Sequence, residues 1–247
     1  MSNVIKFYDI PCQIAGRGWS PNTWKTRYTL NYKGLAFETV WVEYPDIEET
    51  CKKIGVPPTG KKLDGSDLYT VPFIDDPSTG AKIADSLLIA KYLDVTYPDT
   101  PTIIPPGTSA LQAAFSDAFM SKMTPLWQFA LPKSTYVLNP RSEEYTRRTR
   151  LPLFGMTMEE MYPKGEKKVA EWQRLKAAFG DIDRWLGKEG VFVMGDTLSF
   201  SDFVIAAFIL WCRFLFGTNS DEWRDISSWN DRRWEQLLQS LKQYEGQ

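Results

Sequence analysis

The stretch "GRGWSPNTWKTRYTLNYKG", residues 16–34, is where the architecture of this chain can first be read. Ser20 followed by Pro21 is a helix start. A serine oxygen at the N-cap accepts one of the orphan backbone N–H groups, and a proline at the first helical position has no N–H to leave unpaired. The helix predicted from Pro21 closes at Gly34, a residue suited to the left-handed turn of a helix end. Upstream, "VIKFYDI" (4–10) reads as a strand, and downstream "FETVWVEY" (37–44) alternates with period two. Strand, helix and strand make a βαβ unit.

Working outward, "PDIEETCKKIG" (45–55) predicts a short helix, "TVPFIDD" (70–76) and "AKIAD" (81–85) two short strands joined by the turn "DPSTG", and "DSLLIAKYLDVTY" (85–97) an amphipathic helix. The order is β-α-β-α-β-β-α. Residues 97–108, "YPDTPTIIPPGT", carry four prolines and read as a linker, because each removes a backbone donor and restricts the residue before it. From Ser109 the pattern is helical, with helices predicted near 109–130, 142–161, 166–187, 200–214 and 230–243. The apolar run "FVIAAFILWC" (203–212) is about half the ~20 residues that cross a bilayer and reads as a buried core helix.

Composition excludes several function classes. The 247 residues include 29 Lys+Arg against 31 Asp+Glu, so no basic surplus exists to neutralise nucleic-acid phosphates. The absence of histidine removes Ser-His-Asp and Cys-His nucleophile systems and His-containing metal sites. Cys12, Cys51 and Cys212 are far apart with no C-x-x-C pair, so neither zinc nor a disulfide framework is indicated. "MSNVIKFYDIPC" has Lys6 and Asp9 inside its apolar stretch and lacks the h-region of a secretory signal. A cytoplasmic location with reduced thiols is the expectation.

An N-terminal β-α-β-α-β-β-α unit followed by an all-helical half resembles a cytosolic glutathione transferase. The implied fold class is α/β plus all-α: a thioredoxin-like glutathione-binding domain over 1–98 and an all-helical domain over 109–247. Val71-Pro72 stands where that family carries a cis-proline, Asp85-Ser86 opens the third helix, and "GDTLSFSDF" (195–203) resembles the family's helix-capping motif. "SPNTWKTRY" is similar to the S-P-x-x-W-x-T-x-Y pattern of bacterial β-aryl etherases and of the fungal-specific class FuA. "WVEYPDIE" and "DPSTG" look like the fungal class, and the C-terminal extension of the bacterial etherases is missing. The resemblance implies a homodimer that uses glutathione as co-substrate, with no metal, nucleic acid or membrane. It implies conjugation of glutathione to aromatic or phenolic electrophiles, including wood- or lignin-derived compounds. A ligandin that carries polyphenols with little turnover is the alternative, followed by β-aryl ether cleavage or a non-catalytic interaction module.

Each motif then has a physical task. A glutathione enzyme must present a thiolate near neutral pH, and lowering a thiol pKa from ~8.5 by about two units takes ~2.7 kcal/mol. A helix N-terminus supplies roughly 0.3–1 kcal/mol, and a charge-assisted hydrogen bond about 1.5–3 kcal/mol. Ser20 sits where both act; read from the residues alone it is an ordinary N-cap, and the family resemblance is what turns the reading to chemistry. Its hydroxyl donates to a thiolate but forms no mixed disulfide, which favours conjugation over dithiol exchange. Tyr8, at the end of the first strand, and Cys12, in the following loop, are the rival thiolate partners.

Val71-Pro72, if cis, turns the Val71 backbone toward an extended glutathione peptide; otherwise it is an edge-strand proline. Asp85 and Ser86 suit the γ-glutamyl ammonium and carboxylate, or simply start a helix. Lys61 or Lys62 reaches the glycyl carboxylate, and at least one of them reads as solvated charge. Ser199 and Asp202 fit an S-x-x-D capping box, a folding role. Phe115, Phe119, Met123 and Trp127 recur every four residues and cover one broad helix face, which packs against other helices or borders the cleft above the sulfur. Pro125 should break that pattern and swing Trp127 toward Trp24, so Trp24, Phe119, Met123 and Trp127 are the candidate hydrophobic substrate site.

Overall fold

β1 (Ile5–Asp9), buried except at Lys6, is followed, after a loop, by α1 (Pro21–Tyr32) and β2 (Phe37–Trp41). β1 and β2 pair in parallel, as a crossover helix requires. The chain is described here from a computed structural model covering residues 4–14, 16–188 and 190–246. α2 (Ile47–Ile54) ends at Gly55, whose φ of 83° is open to glycine and closed to most side chains. A hairpin absent from the sequence prediction follows: β3 (Gly60–Lys61) and β4 (Asp67–Leu68), antiparallel and two residues each. Its strands are too short and too polar to show alternation. Asp64 forms its turn by accepting the Ser66 N–H at 2.9 Å and the Ser66 hydroxyl at 2.6 Å.

β5 (Phe73–Asp76) and β6 (Ala81–Ala84) complete a sheet of order β2-β1-β5-β6, in which β5 runs antiparallel to both its neighbours. α3 (Ser86–Thr96) packs with α1, and Phe7, Leu30, Ile74, Ile89 and Leu93 form the core between helices and sheet. The Pro-rich connection is pinned. Lys33, with its side chain fully buried, pairs with Asp94 at 2.7 Å and donates to the Pro101 carbonyl at 3.0 Å. Asp94 in turn accepts the Ile103 and Ile104 N–H groups, at 3.1 and 2.8 Å from one oxygen.

The helical half begins with α4 (Ser109–Lys122) and α5 (Thr124–Thr135), where the sequence predicted one helix over 109–130. Pro125 lies in the first turn of α5, so the break falls at Met123, just before a residue that cannot continue the α4 hydrogen-bond ladder. Likewise the stretch predicted as one helix over 142–161 is divided into α6 (Pro140–Phe154), stopped by Gly155 at φ 68°, and α7 (Met158–Met161), opened by a Thr157–Glu160 capping box. α8 (Gly165–Leu186) and α9 (Phe200–Phe216) follow, and every residue of α9 from Phe200 to Cys212 is buried. α9 is the apolar run of the sequence, enclosed by α1, α4, α5 and α10. α10 (Asp221–Ser240) starts well before the predicted 230 because Ser220 caps it by accepting the Trp223 N–H, and it bends at Trp229–Arg232.

Candidate functional site

The N-terminus of α1 opens into a cleft of about 960 Å³ that runs between the sheet unit and α6. Ser20 and Asn22 form its wall on α1, Val71 lies opposite, and Lys62 reaches in from the β3–β4 hairpin. Ser20 is 4% exposed. Its Oγ accepts the Asn22 N–H at 3.3 Å, a long bond, and its own O–H has no acceptor among the described residues. The serine is therefore a cap with a spare proton at a positive helix end.

The Val71–Pro72 peptide is cis. Beside it, the Pro72 carbonyl accepts the Asp85 N–H at 3.3 Å, which ties the start of α3 to this corner. Asp85 adopts φ 78° and ψ 126°, an unusual conformation for a residue with a side chain and one that clusters at functional positions. Its carboxylate takes the Leu87 and Leu88 N–H groups at 2.9 and 3.0 Å. Two of the helix donors expected to be free are thus used internally; Ser86, 6% exposed, sits immediately beside them.

The two lysines separate. Lys61 pairs with Asp67 across the hairpin at 2.6 Å, while Lys62 lines the cleft and pairs with Glu48 at 2.7 Å. Lys52 holds the other Glu48 oxygen at 2.7 Å, and the two ammonium groups keep that carboxyl down at about 2.

Tyr8 is buried, stacks on Phe73 at 4.2 Å, and is not part of the cleft wall; burial pushes its phenol up. The Cys12 thiol donates to the Ile14 and Arg17 carbonyls at 3.4 and 3.6 Å, and burial raises it too. Phe119 and Met123 are fully enclosed in the helical core, with Phe119 edge-on to Phe208 at 5.4 Å, and neither lines the cleft. Phe115 stacks along α4 on Phe119. The break at Met123 turns Trp127 inward, onto Phe208 at 5.7 Å and Trp211 at 6.0 Å. Trp24 faces a second cavity on the other flank of α1, fixed by its Nε1–H to the Gly18 carbonyl at 3.1 Å. Phe119 and Trp127 meet at Phe208 in the helical core, Trp24 stands apart from them, and none of the four candidates lines the cleft.

Other side chains, missed in the sequence, supply the aromatic wall. Tyr44, in the 3-10 turn Tyr44–Asp46, and Tyr145 of α6 lie parallel within 6°, their centroids 6.4 Å apart, and both line the cleft with Arg150. Burial pushes the Tyr44 phenol up to about 12. This lip is docked onto the start of α6. Glu43 accepts from Asn139 Nδ2 at 2.7 Å and from the Ser142 hydroxyl, Ser142 Oγ accepts the Tyr44 N–H at 2.9 Å, and Arg141 grips Asp46 through two bonds of 2.8 and 2.9 Å. A carboxylate at a helix N-terminus is favourable, so "WVEYP" followed by "NPRS" a hundred residues on was the available signal. Among the described residues no group of three His, Cys, Asp or Glu side chains is placed to hold a metal ion, and no helix is long and apolar enough to cross a membrane.

Comparisons with known proteins extend over nearly the whole chain. The family model for the glutathione S-transferase N-terminal domain matches residues 19–96, and that for the C-terminal domain matches 110–244. The glutathione S-transferase-like protein ustS of Aspergillus flavus is 33% identical over 98% of this chain and 92% of its own. A glutathione S-transferase of Ceriporiopsis subvermispora, solved in complex with glutathione, is 46% identical with a TM-score of 0.93, covering 99% of both chains. Glutathione transferase GSTFuA3 from Phanerochaete chrysosporium is 41% identical with a TM-score of 0.93, covering 99% of this chain and 98% of that one.

Proposed function

Because this chain belongs to the glutathione S-transferase family, whose co-substrate is glutathione, we propose that it binds glutathione along the Ser20–Val71–Lys62 cleft and conjugates it to aromatic or phenolic electrophiles. In this reading the Val71 backbone pairs with the extended peptide, Asp85 and Ser86 take the γ-glutamyl end, and Lys62 takes the glycyl carboxylate. Ser20 donates its free O–H to the sulfur at the head of α1. The thiolate, its proton released to solvent, then attacks the electrophilic carbon: with an aryl halide the C–S bond forms as the halide departs, and with an isothiocyanate the sulfur adds to the central carbon and the nitrogen takes up a proton.

The single observation that carries this reading is the unspent Ser20 proton, facing the same cleft as the cis peptide. The helix end and one charge-assisted bond together reach the ~2.7 kcal/mol needed to bring a thiol from ~8.5 to near 6.5. The parallel Tyr44 and Tyr145 rings support a planar, aromatic second substrate, since offset ring stacking adds about 0.5–1.5 kcal/mol per pair beyond area burial. We extend the proposal to a cytoplasmic homodimer acting in detoxification; Leu63 at 94% exposure and Leu88 at 53%, both on the sheet unit, support an apolar contact between copies.

The test is direct. Purified protein is titrated with glutathione, then assayed against an aryl halide, an isothiocyanate and a β-aryl ether, and its mass in solution is measured by light scattering. Conjugation of the first two is expected. Tight glutathione binding with no turnover of any would favour the ligandin reading, and turnover of the ether alone the etherase reading.

A further inference from the structure

α6 carries the arginines Arg141, Arg147, Arg148 and Arg150, and all but the last are spent on carboxylates. Arg141 grips Asp46, Arg147 holds Glu143 and Glu159 at 3.0 and 2.7 Å, and Arg148 holds Glu144 at 2.9 Å. Arg150 makes no ion pair among the described residues, and its side chain donates there only to the hydroxyl of its neighbour Thr149, at 3.3 Å. Of these arginines it is also the one that lines the cleft. A fully exposed guanidinium is satisfied by water. Arg150 is half-buried, so it has given up part of that solvent without gaining a counter-charge.

The other charges of the cleft do not answer it. Lys52 and Lys62 share Glu48. Lys53 and Glu49 line the cleft from α2 at the i, i+4 spacing where opposite charges on a helix meet. Glu43 and Asp46, at the lip, are taken by Asn139, Ser142 and Arg141. The guanidinium thus stands without a carboxylate beside the parallel Tyr44 and Tyr145 rings, close enough to Tyr44 that its charge acts on that phenol. The Tyr44 hydroxyl makes no hydrogen bond among the described residues, and burial keeps its proton in place at neutral pH. It is a second unspent donor at the same corner.

On the reading that this cleft joins glutathione to an aromatic electrophile, we propose that Arg150 sets its specificity: the second substrate carries a carboxylate on its ring, held by the Arg150 guanidinium with the Tyr44 hydroxyl as second donor. Guanidinium and carboxylate match in a planar, two-bond geometry, and the tyrosine rings offer the substrate ring a face to lie on. Lys62, on the hairpin, serves the glycyl carboxylate of glutathione and leaves Arg150 to the other substrate. Ser20 stands at the head of α1 and Arg150 on α6, so a ring anchored at Arg150 extends across the cleft toward the sulfur.

The test assays the full-length protein, saturated with glutathione, with 4-chloro-3,5-dinitrobenzoate and with its neutral amide. In both reactions the thiolate sulfur bonds to the ring carbon that bears chlorine and chloride leaves, so the pair isolates the charge to be recognised. After division by the uncatalysed rates, kcat/KM should favour the acid about tenfold or more, as a charge-assisted bond predicts. Arg150→Gln should abolish that preference, chiefly by raising KM for the acid. Arg150→Lys should restore part of it, and Tyr44→Phe should reduce it severalfold. A wild type that favours the amide, or treats the two alike, overturns the proposal whether or not the variants fold. So does an acid-to-amide ratio untouched by Arg150→Gln, and so does a matching loss of glutathione affinity, which would assign Arg150 to the glycyl carboxylate. If neither compound is turned over, the conjugation reading fails by itself. Calorimetry with the unreactive 3,5-dinitrobenzoate and 3,5-dinitrobenzamide, in saturating S-methylglutathione, then decides Arg150 by the same ratio.

Discussion

Ser20 and Ser199 each start a helix of this protein, and they spend their hydroxyls differently. Ser199, fully buried before α9, donates its O–H to Asp202 at 3.0 Å, and the same carboxylate oxygen takes the Ser199 N–H at 2.8 Å. The other Asp202 oxygen takes the Val193 N–H at 2.7 Å, so every polar group at that helix start has a partner. Ser20 accepts one long bond and donates none among the described residues. A capped helix is a stability device when its cap is saturated and a candidate reaction site when the cap keeps a proton facing a cleft. The amino-acid types are alike, and their surroundings set the roles.

The strongest way to break this contrast is at Asp202. Asp202→Ala leaves the buried Ser199 N–H and the half-buried Val193 N–H unpaired, and a buried group left so costs about 1–3 kcal/mol. Relief of a buried charge offsets part of this, so a net loss of about 2 kcal/mol or more is expected, a fall in Tm of roughly 4–8 °C. An unchanged Tm would mean that α9 does not depend on its saturated cap.

The same residue gives a pH signature. Burial pushes the Asp202 carboxyl up to about 6 from its ordinary 3.8. Between those values the folded protein holds a proton that the unfolded chain has released. Stability from this group is therefore fully present below about pH 4, declines as pH rises toward 6, and is level above, a change on the order of 3 kcal/mol. Asp202→Asn should remove that decline, which thermal melts from pH 4 to 8 will reveal. Parallel wild-type and variant curves would show that the carboxyl titrates alike in both states.

How far the sequence carried the reading can be judged at particular residues. The βαβ start, the cap at Ser20 and the buried run of α9 were legible because each depends on neighbours in the chain. The docking of Glu43 onto Asn139 and Ser142 was not, because it joins residues 96 and 99 positions apart. That contact carries the Tyr44–Tyr145 wall, so the aromatic side of the cleft was sought instead on α4 and α5. There the four-residue spacing of Phe119, Met123 and Trp127 describes a face without saying what covers it, and α9 covers it. Pro125 was read correctly as a break, but the direction in which a broken helix resumes is a tertiary property.

At Ser20 the contrast predicts the opposite balance from Asp202. Ser20→Ala removes one acceptor from a long cap bond, so stability should fall by under about 1 kcal/mol. The conjugation rate at neutral pH should fall about ten- to a hundredfold, the value of one charge-assisted hydrogen bond, with glutathione affinity nearly unchanged. The rate should recover at high pH, where the thiol ionises unaided. A variant with an unaltered pH–rate profile but a large drop in Tm would assign Ser20 to the same class as Ser199.

The smallest expected effect is also the sharpest, because it separates charge from capping at one residue. Asp85 starts α3 at φ 78° and takes two N–H groups on one oxygen. Asparagine tolerates positive φ about as readily, and its amide oxygen accepts the same two bonds. Asp85→Asn therefore keeps the cap and the backbone and removes only the negative charge, which is exposed and screened by solvent. Tm should stay within about 1 °C, since an exposed cap swap of this kind is worth a few tenths of a kcal/mol. If the carboxylate meets the γ-glutamyl ammonium, glutathione affinity should fall about two- to fivefold, and the deficit should shrink as salt is raised. Equal affinity at low salt would leave Asp85 as a cap alone. The α1 and α3 starts would then differ, with only Ser20 keeping a group free for the ligand.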